Sequence, residues 1–462
     1  MISRGLVLVG TVAAAAYVAV VVHWYRGSPL DRIELVFALK LLLVLVIALH
    51  FLWTDGRRLT RALATLRALC ERRPALCVAT LIAVGIAASF ATTPQIAFGE
   101  GALGVGYGHD GAIYGTMTEH FAWFKNPGMA RFGYRFFAPM LVHYSGLDTF
   151  TGYRLLDLVS GALATVLMYR IARDLALAPA AAVLGAALFL VLKFGLKFFV
   201  YYPVLTDALG LLLLMAIIWA TLEGRPVVYL LAMAAAVGTR ENLIVLTVFN
   251  ALYTLRTAKG SRRFLDAALL QIPALAVFAL SRRYPVFPPF RYPGSAFDIA
   301  RRGVEDFVSN PTMQWMFILS YVNALGIFAI LPLLFWRRFT LFLRERYEWA
   351  YYVVVSVALS TAGGVDFDRY AVPLAPIAIL GMLALTVPAD GRIPRLWLYW
   401  LAVHVVSMEF IFPWFPEEGF YMSRCAAHAK GLALTYIADF SWVLAAVTFA
   451  LALHDRASEA AT

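Results

Sequence analysis

The chain has 462 residues, of which 62% are hydrophobic and 15% charged, and its mean hydropathy is +0.75. A soluble domain carries roughly 25% charged residues, so this composition excludes an ordinary soluble globular protein, a disordered chain and a nucleic-acid-binding domain. The net charge of +11 reads instead as orientation signals and as an affinity for anionic lipids or phosphates.

A spanning helix needs about 20 mostly apolar residues. By that measure about 14 apolar segments follow one another. They lie near residues 6–24, 34–53, 75–93, 150–171, 178–196, 206–222, 226–238, 241–257, 264–281, 316–336, 349–363, 371–387, 396–412 and 433–453. The pattern predicts an all-α polytopic membrane protein of about 12–14 spans. The first segment follows MISR but shows no small-x-small cleavage site, so it reads as a retained helix. Cys70, Cys77 and Cys425 have no metal-ligand spacing, and no disulfide framework is expected. The segments at 226–238 and 241–257 are short and meet at Thr239–Asn242, which predicts a broken or re-entrant pair.

Basic loops at 54–74, 256–263 and 337–346 all fall on one side of this topology, which makes that side cytoplasmic and puts both termini inside. Two outer loops, 94–149 and 282–315, exceed the roughly 15 residues beyond which a loop is usually functional or disordered. The second carries Arg282, Arg283, Arg291, Arg301 and Arg302 on the side where arginine is not expected. Three regions result: an N-terminal hairpin with its basic loop (1–74), a core (75–390) and a C-terminal hairpin (391–462).

Ionisable residues concentrate at the outer ends of the segments. YGHDGAIY carries His109 and Asp110, and Ile113, Met117, Phe121 and Phe124 continue it at helical spacing. This predicts an amphipathic helix on the membrane surface, with Asp110 either its N-cap or a functional acid, and Glu119 and His120 facing the interface. FGYRFFAPML sets Arg135 among aromatic residues. LKFGLKFFVYYPVLTDALG places Lys193 and Lys197 four apart on one helix face, then Tyr201, Tyr202 and Asp207. GTREN puts Arg240 and Glu241 in the break, where charge at membrane depth lines a cavity or forms a local pair. DFDRYAVPLAP brings Asp366, Asp368 and Arg369, an arginine suited to a fixed anion.

GHDGAIY, YRFFAPML, YYPVLTDALGLLLL, AAAVGTRENLIVL and DFDRYAVPLAPIAIL, in that order over residues 75 to about 390, resemble the GT-C superfamily of integral-membrane glycosyltransferases. The resemblance implies a GT-C-like fold and a sugar donor carried on a polyprenyl-phosphate lipid. It also implies an acceptor hydroxyl on a glycan, lipid or protein and inversion at the anomeric carbon. The topology turns the active face outward, and the alanine and arginine richness points to a bacterial inner membrane, with that face on the periplasmic side. The resemblance makes Asp110 the general base. Arg240 and Arg369 become ligands of the donor phosphate, with Lys193, Lys197 and Arg135 behind them. His109, Glu119, Tyr201, Tyr202, Asp207, Glu241, Asp366 and Asp368 are further substrate-binding candidates. The sequence departs from the family in placing its acidic loop after the third segment, and in offering a single Asp there, which disfavours a divalent metal. No cofactor is singled out, and a divalent metal is left open but not favoured. A secondary transporter, or a lipid-glycan flippase without catalysis, remains an alternative reading of the same spans.

Overall fold

The structure is a computed structural model and describes residues 40, 42–44, 46–47, 57–98, 106–121, 134–260, 263–283, 296–362, 367–388, 391–411 and 414. The expected segments at 6–24 and 433–453, and most of 34–53, lie outside these residues.

Among the described residues every regular element is helical. In chain order the helices are α1 (Arg57–Arg72), α2 (Pro74–Thr92), α3 (His109–Glu119), α4 (Phe137–Ser145), α5 (Thr149–Asp174), α6 (Pro179–Leu190), α7 (Phe198–Tyr201), α8 (Asp207–Leu222) and α9 (Pro226–Val237). There follow α10 (Leu246–Thr257), α11 (Arg263–Leu269), α12 (Ile272–Arg283), α13 (Ala296–Ser309), α14 (Pro311–Leu325), α15 (Leu331–Leu334), α16 (Trp336–Glu345), α17 (Tyr347–Ala362), α18 (Phe367–Ala371), α19 (Ala375–Thr386) and α20 (Arg395–Ser407).

Five stretches are long and apolar enough to cross a membrane: Pro74–Thr92, Thr149–Asp174, Phe264–Arg283, Pro311–Ala329 and Phe367–Thr386. They mark the chain as an integral membrane protein. The segment expected at 178–196 is not straight. Helix α6 and the stretch Lys193–Tyr201 meet at a 43° bend, through a π-type turn over Lys193–Lys197 in which Phe194 and Gly195 leave helical geometry. Asp207–Leu222, Pro226–Val237 and Leu396–Ser407 are shorter apolar helices. The loop expected at 282–315 contains helix α13, and the segment expected at 316–336 starts earlier, at Pro311, and breaks at Gly326 (φ +57°).

Helix α5 shows what solvates the fold. Asp148 caps it by accepting from Thr151 N at 3.1 Å. Its buried face carries Tyr153, Asp157, Ser160, Gly161, Ala164 and Thr165. Its outward face, at four-residue spacing, is Leu155, Val159 and Leu163, each about half exposed. Small and polar residues inside with branched apolar residues outside is the arrangement of a helix bathed in lipid, where burial of apolar surface no longer drives association and small residues allow close packing. Helix α8 packs along α5 and α9, and α6 packs against α5 and α19.

The two ends of the bundle differ. At one end α3, the start of α8, the break after α9 and the start of α18 converge around Asp110, Asp207, Arg240 and Arg369. At the other end a cavity of about 430 Å³ is lined by Leu175–Ala178, Arg338, Phe342, Arg346 and Pro388. There Arg256 forms a two-point pair with the fully buried Glu348, at 2.6 and 2.9 Å.

Candidate functional site

Helix α3 is not open on a surface. Tyr114 and Met117 are fully buried, and α3 packs on α4 and α5. It ends at Glu119 rather than at Phe124. Its N-cap is Gly108, at φ +62°, with no side-chain cap. Asp110 therefore sits in the first helical turn and is not the cap. It is aimed instead at Arg369, whose Nη1 lies 3.2 Å from Asp110 Oδ2.

Tyr202 fixes the start of this helix. Its hydroxyl donates to Gly108 O at 2.7 Å and accepts from Gly111 N at 3.0 Å. Burial pushes the Tyr202 phenol well above its usual range, so it remains a donor. Gly111 is required by this contact, because a Cβ there would come within 2.9 Å of the Tyr202 ring and 3.0 Å of Val204 O.

Arg369 stands in the short helix α18, in the first turn of a span. Its Nη2 and Nε bind the two oxygens of Asp207, at 2.6 and 3.1 Å. Arg240 Nη1 shares Asp207 Oδ1 at 2.6 Å. Among the described residues the other Arg240 nitrogens have no hydrogen-bond partner, and the guanidinium sits over the Tyr370 ring at 5.9 Å. Gly210, one turn after Asp207, lets this side chain lie against α8, since a Cβ there would be 2.7 Å from Arg240 Cδ. A cavity of about 30 Å³ is bounded by Asp207, Arg240, Arg369, Asn242, Phe194 and Phe198. Of the two carboxyls, Asp110 is the more open, with 19% side-chain exposure against 9% for Asp207.

The break at Thr239–Asn242 is present, but Arg240 and Glu241 do not pair with each other. Arg240 turns to Asp207, while Glu241 receives Arg135 at 2.8 and 3.0 Å. Arg135 Nη1 also donates to Tyr114 OH at 3.0 Å. Burial alone would lower the Arg135 pKa, but the facing Glu241 carboxylate more than offsets this and raises it. Arg135 is thus a clamp that ties the loop bearing Asp110 to the break.

The remaining sequence candidates separate from this group. Lys193 and Lys197 do not share one face of a regular helix, because they occupy the π-type turn and are fully buried. Lys193 Nζ donates to Asn323 Oδ1 at 2.8 Å, and Lys197 Nζ to Glu409 O at 2.6 Å. Glu409 also accepts from Lys40 at 2.7 Å. Asp368 joins this second network through Asn323 Nδ2, at 3.1 Å. Tyr201 is buried edge-on against Trp414. Glu119 is exposed at the far end of α3 and accepts from Tyr107, whose phenol is pushed up to about 12 by burial and by that carboxylate. Asp366 lies outside the described residues, as does the side chain of His109.

Asn323 and Glu409 were not singled out from the sequence, and neither was Asp157, a carboxyl inside α5 that is 2% exposed. For Asp157 a signal existed: an acidic residue in the middle of an apolar span. Among the described residues no three His, Cys, Asp or Glu side chains converge as a metal-ligand set. Comparison with protein-family models, curated proteins and solved structures returns no match for the chain.

Proposed function

We propose that the chain is a GT-C-like membrane glycosyltransferase. It moves a sugar from a polyprenyl-phosphate lipid to a hydroxyl on a glycan, lipid or protein, at the extracytoplasmic face of a bacterial inner membrane. The observation that carries the reading is the Asp110–Arg369–Asp207–Arg240 constellation. Four residues from distant parts of the chain meet at one end of the helices, and among the described residues Arg240 keeps guanidinium nitrogens without a hydrogen-bond partner there.

The geometry supports the following chemical roles for these residues. Asp110, the more open carboxyl, takes the proton of the acceptor hydroxyl as the acceptor oxygen bonds to the anomeric carbon. The bond from that carbon to the phosphate oxygen breaks, and the configuration inverts. Charge gathers on the departing lipid phosphate, where the open edge of Arg240 and the guanidinium of Arg369 stabilise it. Asp207, gripped by both arginines, holds them side by side on one carboxylate and is a positioning residue. Arg135 and Glu241 keep the Asp110 loop against the break. Lys193, Lys197 and Asp368 act one layer away, by fixing the bent helix and the start of α18. The site needs no cofactor in this scheme. The test is transfer by purified protein from a radiolabelled polyprenyl-phosphate sugar. Donor binding with turnover supports the reading, and neither binding nor transfer across the common bacterial lipid-linked sugars overturns it.

A second reading is favoured by one observation. The 43° bend, with buried Lys193 and Lys197 at it, has the form of the discontinuous helices of secondary transporters. Substrate flux in proteoliposomes without any covalent change in the substrate would select that reading.

A further inference from the structure

Asp157 stands in the first half of α5, more than two turns from its start, and contributes to nothing described above. It is 2% exposed, and among the described residues it makes no hydrogen bond or ion pair. Arg154, one turn before it, is turned away to Gln95 at 3.0 Å and to the Phe90 ring. Ser160, one turn after it on the same face, is fully buried, and its Oγ has no partner.

A buried carboxylate and a buried hydroxyl one helical turn apart, both without a hydrogen-bond partner among the described residues, form an arrangement that those residues do not satisfy. An isolated carboxylate at membrane depth is strongly disfavoured even after relaxation, and buried oxygens are ordinarily bonded. The charged groups around it offer no relief. Asp207, from α8, is repulsive. Lys193 and Lys197, from the π-type turn, are engaged by Asn323 and Glu409. From α3 comes Tyr114, bonded to Arg135, and from α4 His143, bonded to Thr118 O. Tyr153, on α5 itself, bonds Thr118.

We propose that Asp157 and Ser160 form an intramembrane site for a small monovalent cation, either a proton or Na⁺. Carboxylate and hydroxyl oxygens are the hard ligands such an ion takes, and its charge cancels that of Asp157 where no side chain does. The site lies beside Asp207, so its occupancy is felt by the arginines that Asp207 holds. The inference does not depend on whether the protein transfers sugar.

The experiment uses the full chain purified in detergent. Thermal unfolding of wild type, Asp157→Asn and Ser160→Ala is followed in Na⁺ and in choline buffers of equal ionic strength, from acid to alkaline pH. In parallel, wild type is treated with a hydrophobic carbodiimide, which modifies protonated carboxyls in apolar surroundings, and labelling is read by mass spectrometry. A ligand that binds only the folded state raises the midpoint. For a Na⁺ site, Na⁺ raises the wild-type midpoint, does so less in Ser160→Ala, does not in Asp157→Asn, and blocks labelling. For a proton site, Asp157 is labelled increasingly as pH falls and Na⁺ has no effect. A wild-type midpoint indifferent to Na⁺, together with no labelling of Asp157 at any pH at which the protein stays folded, overturns the proposal. Should Asp157→Asn fail to fold, the labelling of wild type decides alone.

Discussion

Asp207 and Arg369 are 162 positions apart in the chain and meet as a two-point ion pair, Nη2 to Oδ2 at 2.6 Å and Nε to Oδ1 at 3.1 Å. The pair joins the start of α8 to the start of the last described long span, and Arg369 still reaches Asp110 with its remaining Nη. One planar guanidinium thus sets the relative position of two carboxyls on separate helices.

This geometry makes Arg369→Lys a severe change although the charge is kept. An ammonium is a point donor and cannot hold both oxygens of Asp207 while reaching Asp110. Loss of charge-assisted bonds of this kind costs about 1.5–3 kcal/mol, roughly tenfold or more in affinity. Donor affinity of the Lys variant should fall by that amount, measured with a radiolabelled polyprenyl-phosphate sugar. Wild-type affinity in Arg369→Lys would remove Arg369 from the phosphate site.

Asp110→Asn separates chemistry from folding. Because Gly108 is the N-cap, the substitution removes no cap. If Asp110 is the general base, turnover should drop by about 10²–10⁴ while donor binding survives. Turnover within a few-fold of wild type would move the search for a base to Asp207, the other carboxyl on Arg369.

Gly210→Ala tests Arg240 without touching a charge. Alanine is the better helix residue by about 1 kcal/mol, so α8 itself should not suffer. Its Cβ, 2.7 Å from Arg240 Cδ, drives the arginine off Asp207. We expect donor affinity to fall toward that of Arg240→Ala, and the double variant to be no worse than Arg240→Ala alone. Additive losses in the double variant would contradict the shared mechanism.

Tyr202→Phe removes the hydroxyl that joins Gly108 O and Gly111 N. A buried amide left without an acceptor costs about 1–3 kcal/mol. The start of α3 should loosen, with kcat falling and donor Kd unchanged, because Asp110 is displaced and the arginines are not. A Phe variant with full kcat would show that Tyr202 has no part in placing Asp110.

The segregation of the two ends predicts sidedness. Single cysteines at Tyr144, which is 73% exposed, and at Arg338 should react with an impermeant thiol reagent from opposite sides of the membrane, in a background lacking Cys70, Cys77 and Cys425. Reaction of both from one side would be incompatible with the orientation read from the basic loops.

Composition and apolar run length were enough to establish a helical membrane protein and most of its described helices, since lipid demands long apolar segments with internally bonded backbones. The break at Thr239–Asn242 was legible for the same reason, as charge within an apolar stretch. The bend at Lys193–Lys197 was not, because KFGLK keeps a helical hydrophobic pattern although Phe194 and Gly195 leave helical geometry. The sequence also offered Asp110, Asp207, Arg240 and Arg369 as candidates by their places at segment ends. Which of them touch was decided only in three dimensions. Arg240 and Glu241 are neighbours in the chain yet bind Asp207 and Arg135. Asp368 and Arg369 are neighbours yet face different networks. Successive residues at a helix start point in directions roughly 100° apart, so adjacency in sequence separates charges that the tertiary structure then pairs with partners more than thirty positions away.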